Sequence, residues 1–267
     1  MNCEQFKVPP GASIYTNPRC SDPESLLESN EPFKLNISKG SSLNRRFEPD
    51  FTIGIRQIDE RLVLRLGQLA VFQGKPAHQV SLLLCAGALS PQGVDSDVVF
   101  IDGGNSFDTY ALFQYCSSLG MDEDQVKERV HLSRAFTHHQ LALLVKEKLP
   151  SALSQHSARL ACVSDITLLY SDPDVRDKAE ALGVFRESVR FLGTLAEQSN
   201  ALIVVTNLES RNRRMDAALL ESARIFARLE ERRGSTQLTV TKHPFMAQQE
   251  ATRFDSQISA RLDQHFQ

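Results

Sequence analysis

One stretch limits what this chain can fold into more than any other: residues 66–87, LGQLAVFQGKPAHQVSLLLCAG. It reads as an apolar strand, a short loop beginning at Gly74 and an apolar helix, the order in which nucleotide-binding α/β folds open. A working phosphate-binding loop also needs a second glycine so that backbone N–H groups can curl round phosphate. It needs a lysine for the β- and γ-phosphates, and Ser or Thr for magnesium. On the G-x-x-x-x-G-K-[ST] template Gly74 and Ser81 fit, whereas Gln79 and Val80 stand where glycine and lysine belong. The expectation is a nucleotide-binding architecture that has lost its hydrolytic machinery.

A chain of 267 residues has room for one sizeable core, with or without a small appendage. Its formal net charge of -3 excludes a globally basic nucleic-acid coat, so any DNA binding must rest on local patches. Cys3, Cys20, Cys85, Cys116 and Cys162 show no C-x-x-C spacing, the pattern of a reducing compartment with neither zinc site nor disulfide framework. His138 and His139 adjoin each other but no further ligand at metal spacing, so no metal is expected. Nothing at the N-terminus resembles a signal peptide and no apolar run approaches a membrane span, so the expectation is a soluble, intracellular protein with no membrane partner.

Along the chain, residues 1–46 are rich in Pro, Ser, Asn and Glu and predict a mobile arm. Within the arm Phe33, Leu35 and Ile37 alternate, which suits a short strand laid against a sheet edge, its own or a neighbour's. Residues 51–64 read as a strand-like start followed by a short helix. VVFID over residues 98–102, RLACVSDITLL over 159–169 and ALIVVT over 201–206 are apolar runs of buried-strand length. Between them lie helical patterns over residues 107–119, from Asp122, over about 137–149, and over 175–198. The last of these carries Leu182, Phe185, Val189, Leu192 and Leu195 as one stripe. A brief HLSRAF strand precedes the helix of residues 137–149. This alternation predicts an α/β fold, a mainly parallel sheet with helices on both faces. Residues 222–244 read as two strands turning at Arg233 and Gly234, adding antiparallel edge strands at the C-terminal end. The domain reading is an arm over 1–46, a core over 47–255 and a polar tail or short helix over 256–267.

Several motifs then fall in a familiar order, and the chain resembles the core of the RecA/RadA recombinase family, in its archaeal and eukaryotic branch, over residues 51–244. FTIGIRQIDERL resembles the segment before the P-loop, and VVFIDGGNSFD the second strand. HLSRAFTHHQLALLV is similar to an Arg-Ala-Phe-x-x-x-His-Gln stretch, ACVSDITLLY to the Walker B strand, and IVVTNLE to the strand before the second DNA-binding loop. The resemblance implies a RecA-like P-loop NTPase core. It also implies that the catalytic lysine maps to Val80, the water-polarising glutamate to Gly104, and the Walker B aspartate to Ser164 with Asp165 one place later. Phosphoryl transfer rests on electrostatic stabilisation and positioning, so these losses together remove most of the rate. Ser81 survives at the magnesium position, and Thr206 and Asn207 where the family senses the γ-phosphate.

Two readings stand for Gly74, Lys75, Ser81 and Asp165. One is a tight strand-to-helix turn that the fold needs. The other is residual nucleotide or anion binding at a helix N-terminus, with Lys75 or His78 lending charge and Asp165 as a displaced magnesium ligand, although strand alternation would point Asp165 away from the face of Ser164. Arg211, Arg213 and Arg214 lie where the resemblance places contacts to single-stranded DNA; the alternative is a solvated loop balanced by Glu209, Asp216 and Glu221. Lys242 and Arg253 add to a basic surface or are ordinary surface charges. Phe33, Leu35 and Ile37 sit where the family carries its inter-subunit strand, with Asn36 at that motif's alanine position. The leading expectation is a pseudo-ATPase paralogue with no required cofactor, assisting recombination or repair by binding a RadA-type recombinase, another paralogue subunit or single-stranded DNA. It would act in the cytoplasm beside the nucleoid, or in a nucleus. The competing expectations are a DNA-stimulated ATPase using ATP and Mg through Lys75, and a KaiC-like interaction module.

Overall fold

The apolar runs form strands buried on both faces. The computed structural model describes residues 49–209, 211–232, 235–245 and 252–255. The arm with Phe33, Leu35 and Ile37, the turn at Arg233 and Gly234, and the tail over 256–267 lie outside the described residues. After helix α1 (Arg56–Leu62) the chain runs through β1 (Leu69–Gln73), α2 (Ala77–Leu89), β2 (Val98–Asp102), α3 (Thr109–Ser118), α4 (Glu123–Arg129) and β3 (Val130–Arg134). Helix α5 (His138–Leu143), a π-helical turn (Leu144–Lys148) and α6 (Leu149–Gln155) lead to β4 (Leu160–Ser164), α7 (Lys178–Ser199), β5 (Leu202–Asn207) and α8 (Arg213–Ser222). Strands β6 (Ile225–Arg232), β7 (Ser235–Lys242) and β8 (Thr252–Asp255) follow. The strands form one eight-stranded sheet among the described residues, ordered β3-β2-β4-β5-β1-β6-β7-β8.

Every residue of β1, β2, β4 and β5 is buried. Side-chain alternation divides them between two cores, as a sheet covered on both faces requires. Ala70, Phe72, Phe100 and Cys162 pack with α1 to α4, while Leu69, Val71, Ile101 and Val163 pack with α5 to α8. Cys85 and Cys162 are free thiols whose sulfurs meet at 3.7 Å in the first core. Helix α7 presents the expected stripe, with Leu182, Phe185, Val189, Leu192 and Leu195 all buried. Asp177 caps its N-terminus through Ala179 N and Glu180 N, and Asn200 closes it in the left-handed region at φ 49°. Among the described residues no helix is long and apolar enough to cross a membrane.

Three boundaries differ from the sequence expectation. The strand read over 159–169 stops at Ser164, because Asp165 adopts left-handed backbone (φ 39°) and the chain turns there. The helix expected to end near Leu149 continues to Gln155. Pro150 has no N–H for an intrahelical bond, and the preceding π-helical turn widens the helix where its ring enters. At the C-terminal end the expected antiparallel edge is present, with β7 antiparallel to both β6 and β8, while β6 itself joins β1 in parallel. The crossover through α8 sets the direction of β6, and β8 was missed because TRFD is short and half charged.

Phe185 is fully buried and meets Tyr170 edge-on at 5.1 Å. Phe185→Ala is therefore expected to cost about 3–5 kcal/mol in urea unfolding, against about 1 kcal/mol for loss of the cap in Asp177→Ala.

Candidate functional site

In a parallel α/β sheet ligands enter at the carboxyl ends of the strands, so the residues following β1, β2, β4 and β5 define the place to look. The loop after β1 is short. Gly74 donates its N–H to Asn207 O at 2.9 Å and has φ 113°. A Cβ placed there would lie 1.9 Å from Leu229 O, so the close approach of β6 alone demands glycine. Helix α2 begins at Ala77. Ala77 N donates to Gly74 O, and Val80 N donates to Pro76 O as an ordinary helical bond. Both amides are thus engaged within the loop and helix.

The side chains follow the same logic. Val80 is 1% exposed and belongs to the core of the first face. Ser81 is fully buried, and its hydroxyl donates to His78 O at 2.7 Å, turned back along its own helix. Lys75 is exposed. Burial pushes the His78 imidazole below its ordinary value against the pull of Asp102 and Asp108, which favours the uncharged ring.

Across the strand ends several polar side chains bond to one another, while both ring nitrogens of His78 and the Ser106 hydroxyl are buried without a hydrogen-bond partner. Asp102, at the end of β2, is wholly buried and accepts from Ser164 Oγ (2.8 Å), Ser106 N (3.0 Å), Phe107 N (3.2 Å) and Arg134 Nε (3.3 Å). Burial alone would raise its carboxyl; the two amides, the hydroxyl and the guanidinium outweigh burial and hold it below the usual carboxylate range. Asp165 donates its N–H to Thr206 Oγ1 (2.9 Å), and its Oδ1 accepts from Arg211 Nη1 (2.9 Å) and Leu208 N (3.2 Å). Thr167 Oγ1 donates to Asn207 Oδ1 (2.7 Å), and Asn207 Nδ2 and Gln73 Nε2 both donate to Asp216 Oδ1, at 2.9 and 3.2 Å.

This geometry corrects the expectation for Asp165. It stands beyond the strand, where alternation does not apply, and at the same carboxyl edge as Ser164. Its side chain is 3% exposed and already carries an arginine, so a magnesium ion would have to displace that guanidinium. A Cβ on Gly104 would come within 2.9 Å of Asp165 Cβ. The water-polarising glutamate of the resemblance and Asp165 as placed here are therefore mutually exclusive.

The three loop arginines separate. All three are exposed as residues, but the Arg211 side chain is turned to Asp165 and 24% exposed, while Arg213 and Arg214 lie in the first turn of α8. Lys242 Nζ donates to Leu220 O and Glu221 O, capping the end of α8 rather than facing solvent as a free cation. The side chain of Arg253 lies outside the described residues. Sequence reasoning quoted Asp102 and Arg134 within motifs but singled out neither. The available signal was an aspartate ending a buried apolar run.

Residues 67–224, more than half of the chain, match the Rad51 family model. The DNA repair and recombination protein RadA of Ignicoccus hospitalis (strain KIN4/I / DSM 18386 / JCM 14125) is 26% identical over 148 residues, covering 53% of this chain and 45% of that protein. The chain thus matches less than half the length of that curated relative.

The depressed Asp102 carboxyl contributes stability that is present above the unfolded value of about 3.9 and is lost as pH falls through the folded value. Asp102→Asn is expected to cost roughly 1–3 kcal/mol near neutral pH. Urea denaturation at about pH 7 and about pH 3 should show the gap to the unaltered chain shrinking in acid.

Proposed function

The chain belongs to the Rad51 family, and from that premise we propose that it is a member without nucleotide turnover. It acts in homologous recombination or DNA repair by binding an active RadA-type recombinase or another paralogue subunit, single-stranded DNA, or both, in the cytoplasm beside the nucleoid or in a nucleus. The observation that carries this reading is the closed carboxyl edge. Val80 is packed in the core at the lysine position, Ser81 is bonded to His78 O, and Asp102 and Asp165 are held by Arg134 and Arg211. Electrostatic stabilisation of a transferring phosphoryl group needs cations aimed at it, and here the two arginines point at the protein's own carboxylates.

Among the described residues, one surface available to an anionic partner is the first turn of α8. Arg213 and Arg214 are exposed at a helix N-terminus, where cations gain nothing from the helix dipole and an external anion gains from both. Single-stranded DNA supplies such an anion without sequence reading. In this proposal the residues 1–46 form the arm that docks on the recombinase, through Phe33, Leu35 and Ile37.

Fluorescence anisotropy with a labelled single strand is expected to give salt-dependent binding that the double change Arg213→Glu and Arg214→Glu weakens roughly tenfold or more. Pull-down with the host recombinase is expected to survive that change and to fail when Phe33, Leu35 and Ile37 are replaced by alanine. Absence of both DNA and recombinase binding in the unaltered chain would remove the proposal.

A further inference from the structure

At the amino edge of the sheet, away from the polar network, three potential ligands from separate elements converge. Asp97 immediately precedes β2, His131 is the second residue of β3, and His156 follows the last turn of α6. His131 Nε2 lies 2.8 Å from Asp97 Oδ2, and the His131 and His156 rings stack with centroids 3.4 Å apart and planes inclined by 21°. One ligand atom from each of the three lies within 4.8 Å of the others.

We propose that Asp97, His131 and His156 form a zinc site that ties the start of β2, the edge strand β3 and the end of α6 together. Two imidazole nitrogens and one carboxylate oxygen, with water in the fourth position, are a donor set suited to a tetrahedral ion of borderline softness. Tetrahedral ligands at about 2.0–2.1 Å from zinc leave their own atoms roughly 3.3 Å apart. That lies within the observed spread; because the two rings are stacked nearly parallel, one of them must turn out of the stack for both nitrogens to face a single ion. All three residues are half-buried, with the side chains of Asp97 and His131 25% and 24% exposed, so an ion and its water can enter from solvent.

The surrounding residues suit the role. Arg129 Nε holds Asp97 Oδ1 at 3.2 Å, fixing the carboxylate and leaving Oδ2 toward the histidines, as outer partners of metal ligands do. The positive charge of Arg129 is shared with Asp95, which Nη2 meets at 3.0 Å, and its Nη1 donates to Leu89 O at 2.9 Å. One arginine set against Asp95 and Asp97 leaves these charged groups net negative. Zn²⁺ takes one ring nitrogen of each histidine, and each ring keeps its proton on the other nitrogen. Sequence spacing concealed the site: Asp97 and His131 are 34 residues apart, and no short motif contains them.

The test is calorimetric titration of the EDTA-treated, tag-free full chain with Zn²⁺, with thermal unfolding read alongside. The expected result is one bound equivalent and a rise in Tm of about 5 °C at a hundredfold excess over Kd. Affinity is expected to fall roughly 10–100-fold in His156→Ala and in Asp97→Asn, and to stay unchanged in His139→Ala, which breaks the separate cluster of His138, His139 and Glu180. His156 closes no strand, so His156→Gln, which keeps bulk and hydrogen bonding, provides the second variant, with circular dichroism confirming its fold. No zinc uptake by the unaltered chain, or full affinity retained in both His156 variants, overturns the site.

Discussion

Two pairings, Asp102 with Arg134 and Asp165 with Arg211, decide what the carboxyl edge of this sheet can do. A carboxylate buried at strand ends is costly unless a charge and hydrogen bonds compensate it, and removing one partner leaves the other exposed to the full desolvation penalty. In an NTPase core that compensation comes from magnesium, lysine and bound phosphate. Here it comes from the chain itself: two guanidiniums, three backbone amides and the Ser164 hydroxyl. Thr206 and Asn207 are engaged in the same network.

The substitutions are coupled. Gly104 leaves the space in which Asp165 sits, and a side chain at either place constrains the other. Ser164 in the Walker B position donates to Asp102, whereas an aspartate there would bring a second carboxylate against it. Val80 contributes to a core that a lysine would have to leave for solvent. Gly74 remains glycine because Leu229 O lies against it. The chain keeps the framework of the Rad51 family, and at its carboxyl edge Asp102 and Asp165 are paired with the chain's own arginines.

Much of the fold was legible because the signals were strong and local. Continuous runs such as VVFID and LIVVTN are compatible only with strands covered on both faces, and the α7 stripe has unbroken helical spacing. Sequence reading failed where tertiary context decides. The left-handed turn at Asp165 ends β4 within an apolar run, a π-helical turn carries the chain past Pro150, and β6 takes its direction from the α8 crossover. In the site, the sequence shows Val80 and Gly104 where the resemblance would place lysine and glutamate. It does not show the partners of the remaining charges: Arg211 reads like its neighbours Arg213 and Arg214, and only the fold turns it toward Asp165, 46 residues away.

The closed carboxyl edge is tested most directly by calorimetric titration of the full chain with ATP and Mg²⁺ at near-physiological salt. The pairings predict no saturable heat, because a nucleotide would have to expel Arg134 and Arg211 from buried carboxylates and would meet Val80 in the core and Ser81 bonded to His78 O in return. Stoichiometric binding at micromolar concentration, dependent on Mg²⁺, would contradict the account.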